Sequence, residues 1–313
     1  MNEEFLWVEK YRPHTIADTI LPANLKEMFQ KFVDDKNIPN LILSGGAGVG
    51  KTTVARAMIE EIGADYLIIN GSLEGRQIDT LRDTIANFAT SVSLSGGRKY
   101  VILDEADYLN PNTVQPALRN FMEENSANCG FILTCNFKNK IIAPLHSRCA
   151  VIDFKLPKAE RAEIAKTFVG RIKHILTAEG VKFESAVLGE VLRKYFPDWR
   201  RILNELQRYS STGSIDTGML AVNSDTAIDQ LIDFIKDRNF TGARKWIGEN
   251  SDITPDEIFA GLYAVVNTKV EKESIPELVL ILAEYQYKNA FVVNAEINLA
   301  ACIAQIMGSV SFK

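Results

Sequence analysis

Gly45-Gly46-Ala47-Gly48-Val49-Gly50-Lys51-Thr52 is the stretch that decides how this chain is read. A glycine, four residues, then Gly-Lys-Thr is the spacing of a loop that wraps phosphate groups. The flanks agree with it. Leu41-Ile42-Leu43 before it reads as a buried strand, and Thr53-Val54-Ala55-Arg56-Ala57-Met58-Ile59-Glu60-Glu61 after it reads as a helix. Glycines let the backbone turn tightly and aim successive N–H groups at phosphate oxygens. The helix N-terminus adds its partial positive charge. In such a loop Lys51 reaches the β- and γ-phosphates and the Thr52 hydroxyl ligates Mg²⁺. Gly45, Gly48, Val49, Gly50 and Thr53 complete the nucleotide cradle. A glycine-rich turn that binds nothing has no need of a strand on one side and a helix on the other.

The chain has 313 residues, enough for two or three domains and a sizeable core. Hydrophobic content of 46% and charged content of 24% are ordinary for a globular protein. Cys129, Cys135, Cys149 and Cys302 form no C-x-x-C pair, so neither a zinc site nor a disulfide framework is expected, and a reducing cytoplasm fits. Met1-Asn2-Glu3-Glu4 is acidic and lacks the basic and apolar parts of a secretory leader. Phe291 to Met307 is apolar but interrupted by Asn294, Glu296, Asn298 and Gln305, which predicts a buried helix rather than a membrane span. The net charge of -5 does not advertise nucleic-acid binding. Any DNA contact has to come from local basic residues or helix N-termini.

Residues 1–157 alternate apolar runs with helical stretches. The runs are Leu41–Leu43, Tyr66–Ile69, Tyr100–Leu103, Gly130–Thr134 and Ala150–Phe154. That alternation predicts an α/β domain with a parallel sheet covered on both faces. After Leu156-Pro157 the strand signal stops. Residues 158–225 read as three helices, broken near Gly180 and Pro197, and residues 226–313 as a further helical domain with turns near Asn239–Gly242, Asn250–Pro255 and Ser274–Pro276.

Val101-Ile102-Leu103-Asp104-Glu105 is an apolar strand ending in two carboxylates. In phosphate-loop enzymes such a strand is expected beside the loop's own strand. Asp104 then holds Mg²⁺, and Glu105 orients or deprotonates the attacking water. A second strand, Phe131-Ile132-Leu133-Thr134-Cys135, ends at Asn136, whose amide is donor and acceptor at once and suits both a water and a γ-phosphate. Taken alone, Asn136 is equally a turn residue. Asp104-Glu105-Ala106-Asp107 also spells a helicase box, but that reading needs a second α/β domain, and the residues after 157 are helical. A scaffold that binds nucleotide without hydrolysing it is opposed by the full set Lys51, Asp104, Glu105 and Asn136.

Further segments carry a family resemblance. Trp7-Val8-Glu9-Lys10-Tyr11-Arg12-Pro13 is similar to the opening segment of replication-factor-C-type subunits, Ser147-Arg148-Cys149 to the Ser-Arg-Cys motif of clamp loaders, and Pro197-Asp198-Trp199-Arg200 to a second-sensor motif. Gln115-Pro116-Ala117-Leu118-Arg119 resembles a helix that faces the next subunit. With the phosphate loop these resemble AAA+ ATPases and, within them, sliding-clamp loader subunits. Asn70-Gly71-Ser72-Leu73-Glu74-Gly75 departs from the pattern of cellular subunits, and Phe196-Pro197-Asp198-Trp199-Arg200 with Tyr209-Ser210-Ser211-Thr212-Gly213 resembles the large subunit of T4-like phage clamp loaders. The alternative is a cellular, archaeal-type replication factor C small subunit.

The resemblance implies an AAA+ domain, a helical lid and a helical collar. It implies DNA-stimulated ATP hydrolysis with Mg²⁺. Val8, Glu9, Lys10, Tyr11, Arg12 and Ile20 would close over the adenine. Arg200 would touch the γ-phosphate in cis, and Arg148 would be an arginine finger on a neighbour's ATP. Its partners would be a sliding clamp, a clamp-loader small subunit, copies of itself in a five-subunit ring or spiral, primer–template DNA and, indirectly, a DNA polymerase, with no membrane. The location would be cytoplasmic, in the host cell if the chain is viral. Arg76 and Arg82 match a segment that tracks DNA, and Lys138 and Lys140 are further candidates, though each taken singly is more often a solvated charge. Phe88 and Leu94 could grip the clamp, and Phe88 is equally a core residue.

Overall fold

The computed structural model describes residues 5–72, 78–93, 96–211, 214–215, 224–250 and 253–313, with side chains left out at 78–82 and 224–227. These residues fall into two compact units, 1–215 and 216–313.

The first unit opens with a short helix α1 (Trp7–Lys10) and α2 (Ala23–Asp34). Strands and helices then alternate: β1 (Leu41–Ser44), α3 (Lys51–Glu61), β2 (Tyr66–Asn70), α4 (Ile78–Thr90), β3 (Lys99–Asp104), α5 (Val114–Glu124), β4 (Cys129–Cys135), α6 (Ala143–His146) and β5 (Ala150–Asp153). The five strands form one parallel sheet in the order β2-β3-β4-β1-β5. Every residue of β1 and β4 is buried, whereas edge strand β5 exposes Ala150 and Val151. Unbroken apolar runs such as Leu41-Ile42-Leu43 are what a strand covered on both faces requires. Successive side chains alternate between two cores. Ile42, Val101, Leu103, Phe131 and Leu133 pack with Ile85, Leu118 and Met122, while Leu41, Leu43, Ile102 and Ile132 pack with Phe29, Met58 and Ile59. Each fully buried aliphatic side chain contributes about 1.5–3 kcal/mol.

One expectation is overturned. The strand carrying Asp104 is not beside the phosphate-loop strand, because β4 pairs with both β1 and β3 and lies between them. The two strand ends are bridged by side chains instead, as described below.

Three helices follow, α7 (Arg161–Ala178), α8 (Ser185–Tyr195) and α9 (Trp199–Ser210). They carry a short parallel strand pair that the sequence reading missed, β6 (Lys182–Phe183) with β7 (Ser214–Ile215). Strands of two residues leave no readable alternation.

The second unit is helical: α10 (Ser224–Lys236), α11 (Phe240–Glu249), α12 (Pro255–Ala264), α13 (Val266–Lys269), α14 (Ile275–Asn289) and α15 (Ala295–Ser309). Its core gathers Leu231, Ile235, Trp246, Phe259, Ile281 and Ile303. Asn239 caps α11, Thr254 and Glu257 form a reciprocal capping box on α12, and Asn294 caps α15. That last cap corrects the reading of Phe291 to Met307 as one buried helix. The helix begins at Ala295, and Phe291, Val292 and Val293 are exposed in the turn before it. Among the described residues no helix is long and apolar enough to cross a membrane.

Gly130 lies opposite Tyr100 in the sheet, and a Cβ there would come within 2.6 Å of the Tyr100 ring. Gly170, exposed in α7, has nothing within 4 Å of such an atom. Chemical denaturation is expected to show Gly130→Ala destabilised by about 1–3 kcal/mol. Gly170→Ala should be stabilised by about 0.5–1 kcal/mol.

Candidate active site

The loop from β1 to α3 turns through two left-handed residues, Gly48 at φ 67° and Gly50 at φ 96°. A side chain is costly at either. Gly48 is doubly constrained, since a Cβ would fall 1.7 Å from Asp198 Oδ1. Lys51 opens α3 and is 8% exposed. Its ammonium donates to Gly45 O at 2.8 Å, Gly46 O at 2.7 Å and Asn136 Oδ1 at 2.9 Å. Burial lowers its pKa below the ordinary lysine value, against the pull of nearby acidic groups that include Asp104 and Asp107.

Asp104 ends β3. Its Oδ1 accepts the Thr52 hydroxyl at 2.6 Å and the Thr134 hydroxyl at 2.5 Å. Thr134 Oγ1 in turn accepts the Glu105 N–H at 3.2 Å. Glu105 is left-handed at φ 54°, a strained setting for a residue with a side chain. The strain is held from two sides, because Gly71 N–H donates to Asp104 O at 2.7 Å and a Cβ at Gly71 would stand 2.6 Å from Glu105 O. Sequence reasoning misses Thr134. Its only signal is a lone hydroxyl in the otherwise apolar strand Phe131–Cys135.

A cavity with about 910 Å³ of open space leads away from this loop. Gly48, Lys51, Thr52, Thr53, Arg12 and Arg200 line its polar part, and Val8, Tyr11, Ile20, Phe168, Ile175 and Leu203 its apolar part. That lining has the make-up of a pocket for a ligand with a charged tail and a flat apolar head. Sequence reasoning does not single out Phe168, Ile175 or Leu203. The lid touches the phosphate loop directly, as Trp199 N–H donates to Gly48 O at 3.1 Å. Asp198 caps α9 by accepting the Arg201 N–H at 3.0 Å.

Val8, Tyr11, Arg12 and Ile20 reach the cavity, but Glu9 and Lys10 do not line it. Glu9 holds the Arg12 guanidinium, and Arg12 Nη1 reaches Thr53 Oγ1 at 3.4 Å. Lys10 pairs with Glu179 at 2.8 Å, and the Tyr11 hydroxyl donates to the same carboxylate at 2.6 Å. Trp7 N–H donates to Gln207 Oε1 at 3.0 Å. The opening segment therefore straps the lid to α3.

Arg148 follows α6 and lies outside this cavity. Its Nε donates to Glu123 Oε1 at 2.7 Å, Nη2 meets the same oxygen, and Nη1 donates to Pro144 O at 3.0 Å. The hydrogen bond from Arg148 holds the Glu123 carboxyl below its usual range. Cys149 is buried, and burial pushes its thiol up to about 12, so it anchors the segment by packing. Gln115 lies on the inner face of α5. It is 0% exposed, donating to Leu109 O and Lys140 O at 3.0 Å and accepting the Ile142 N–H at 2.8 Å. Lys138 pairs with Asp153 at 2.8 Å, and Lys140 sits over the rings of Phe137 and Tyr108 at 5.0 and 5.5 Å. Phe88 is partly buried against the sheet core. Arg76, Leu94 and the side chain of Arg82 lie outside the described residues.

Buried strands in this order, with the loop, the paired carboxylates and a helical lid closing on one cavity, define a phosphate-loop nucleotide hydrolase of the AAA+ class. Residues 41–156 match the family described as "ATPase family associated with various cellular activities", and residues 160–221 match "Sliding-clamp-loader large subunit, AAA+ ATPase lid domain". The chain is 35% identical to the sliding-clamp-loader large subunit of Enterobacteria phage T4, over 100% of this chain and 98% of that protein. It is 37% identical to that of Escherichia phage RB69, over 78% and 77%. The replication factor C small subunit of Sulfurisphaera tokodaii is 32% identical over 98% and 96%. In fold it is similar to a RuvB variant from Thermotoga maritima, with a TM-score of 0.55 and 18% identity, over 76% of this chain and 85% of that one. The chain thus belongs to the sliding-clamp-loader large-subunit family, and it is an ATP hydrolase.

Thr134→Val keeps the shape of the side chain but removes a hydrogen bond to a carboxylate, worth about 1.5–3 kcal/mol. Steady-state kinetics should show turnover reduced about tenfold to a hundredfold. ATP affinity measured without divalent cation should stay unchanged.

Proposed function

We propose that this chain couples ATP hydrolysis to the loading of a sliding clamp onto primer–template DNA. ATP binding drives clamp opening and DNA engagement, and hydrolysis leaves the clamp on the DNA. The observation that carries the hydrolytic reading is the hydrogen-bonded chain from Thr52 through Asp104 and Thr134 to Glu105. It brings phosphate loop and paired carboxylates together across three strands.

Gly48, Val49 and Gly50 would present backbone N–H groups to the phosphates, with Lys51 exchanging its carbonyl partners for phosphate oxygens. Val8, Tyr11 and Ile20 would enclose the base, and Arg12 and Thr53 would flank the nucleotide. Among the described residues no cluster of three or more His, Cys, Asp or Glu side chains could hold a metal. Thr52 and Asp104 would therefore hold Mg²⁺ jointly with phosphate oxygens, where the cation supplies charge neutralisation. Glu105 takes a proton from water as the water oxygen attacks the γ-phosphorus. The bond to the bridging oxygen breaks, and the electron pair leaves with ADP. Asn136 orients that water against the γ-phosphate, and Arg200 contacts the γ-phosphate from the lid.

Arg148 lines no part of its own chain's cavity, which supports a role on a neighbour's ATP. To act there it must leave Glu123. Oligomerisation with a small subunit and with copies of itself, in a five-subunit ring or spiral, is supported by apolar side chains exposed on the second unit: Tyr263, Leu280, Tyr287, Phe291, Val293 and Ile297. Residues 158–225 would be the lid and 226–313 the collar. DNA would meet Arg76, Arg82 and Lys140, and Lys138 only after leaving Asp153. A polymerase would meet the product clamp. The work would take place in cytoplasm, the host's if the chain is viral.

Two variants test these roles. Glu105→Gln is expected to retain ATP and clamp binding while turnover falls about 10²- to 10⁴-fold, the range for a general base. Unchanged turnover would remove Glu105 from the mechanism. Arg148→Ala should leave nucleotide affinity of the isolated chain intact and lower turnover of the assembled complex about 10³- to 10⁵-fold. Weakened ATP binding by the isolated chain would instead assign Arg148 to its own site.

A further inference from the structure

Asp107 ends the Asp104-Glu105-Ala106-Asp107 run and has no part in the scheme above. It is 6% exposed. Burying a carboxylate is costly unless its oxygens are hydrogen-bonded. Only Oδ2 is, accepting the Phe137 N–H at 3.2 Å, and Oδ1 is buried with no partner among the described residues. A half-satisfied buried charge is a poor device for stability, and conflicts of this kind concentrate at functional sites.

The peptide that Asp107 holds joins Phe137 to Asn136, at the point where β4 ends. Asn136 is the residue whose amide oxygen accepts Lys51. The left-handed turn at Glu105 is what brings Asp107 back to this position. Thr134 and Asp107 thus tie the ends of β3 and β4 together in opposite directions. Thr134 reaches from β4 to Asp104 and the Glu105 N–H, and Asp107 reaches from the turn after β3 to the residue after β4.

We infer that Asp107 is a positioning residue: it fixes the Asn136–Phe137 peptide so that the Asn136 amide faces the γ-phosphate and the attacking water. This rests on the role given above to Asn136. Without that anchor the amide can rotate away, and ATP and ADP become harder to tell apart.

The test compares Asp107→Ala, Asp107→Leu, Asp107→Asn, Asn136→Ala and the double variant Asp107→Ala/Asn136→Ala. Turnover is measured in the assembled complex with clamp and primer–template DNA, and ATP and ADP affinities on the full chain alone. Asp107→Ala and the volume-filling Asp107→Leu should lower turnover about tenfold to a hundredfold, the scale for a group misplaced by about 1 Å. The preference for ATP over ADP should narrow while ADP affinity holds. Asp107→Asn keeps an acceptor for the Phe137 N–H and should recover most of the rate. The double variant should be no slower than Asn136→Ala, because both changes remove one function. The leucine variant serves if the alanine variant fails to fold. Wild-type turnover in the leucine variant, defects that multiply in the double variant, or joint loss of ATP and ADP affinity would each overturn the inference. Normal turnover in Asn136→Ala would instead overturn the role of Asn136, which separates the two failures.

Discussion

The whole site depends on one backbone constraint: a fully buried strand must become a helix across Gly45–Gly50, with left-handed residues at Gly48 and Gly50. Only glycine takes such angles at little cost, and at Gly48 only glycine leaves room for Asp198. The turn sets the direction of α3 and so the place of Lys51. It also leaves Gly48 O free to accept from Trp199 at the start of the lid helix. A side chain at that one position would disturb both the phosphate cradle and the seating of the lid.

Around the loop, charges are buried that a stability argument would place in water. Lys51 and Asp107 are nearly inaccessible, and Asp104 is held by two hydroxyls on a single oxygen. They lie where the parallel strands end. There the sheet's order puts β4 between the loop strand and the carboxylate strand, so every link between those two must pass over or through β4. Thr134 does this from within the strand and Asn136 from its end. Their location on the intervening strand explains why a residue with no catalytic chemistry of its own, Thr134, touches both acidic residues.

The role proposed for Arg148 has to reckon with its contacts within the chain. Its donors are taken by Glu123 and Pro144 in the same protomer. The pair is partly exposed and screened by water, so a desolvated phosphate can compete for the guanidinium. In the role proposed for Arg148, assembly would change its partner without requiring refolding around it.

The sequence alone determined the loop, the five strands to within a residue or two, the lid helices and the acidic residues, because glycine positions, apolar runs and strand-end carboxylates are local signals. Asp104, Glu105, Asn136 and Lys51 were legible for that reason. Strand order was not, since pairing is a contact between residues far apart in the chain, and the expected adjacency of β1 and β3 failed on it. The Phe291–Val293 turn was misread because apolar content outweighed the cap at Asn294. Thr134, Phe168, Ile175 and Leu203 were invisible as site residues, because each reads as ordinary core until folding turns it toward the cavity. Glu9 and Lys10 sit within the opening motif yet serve Arg12 and Glu179 rather than the cavity. Local sequence determined which chemistry is present; only the tertiary structure decided which side chains share it, because hydrogen-bond partners are assigned by the packing of distant segments.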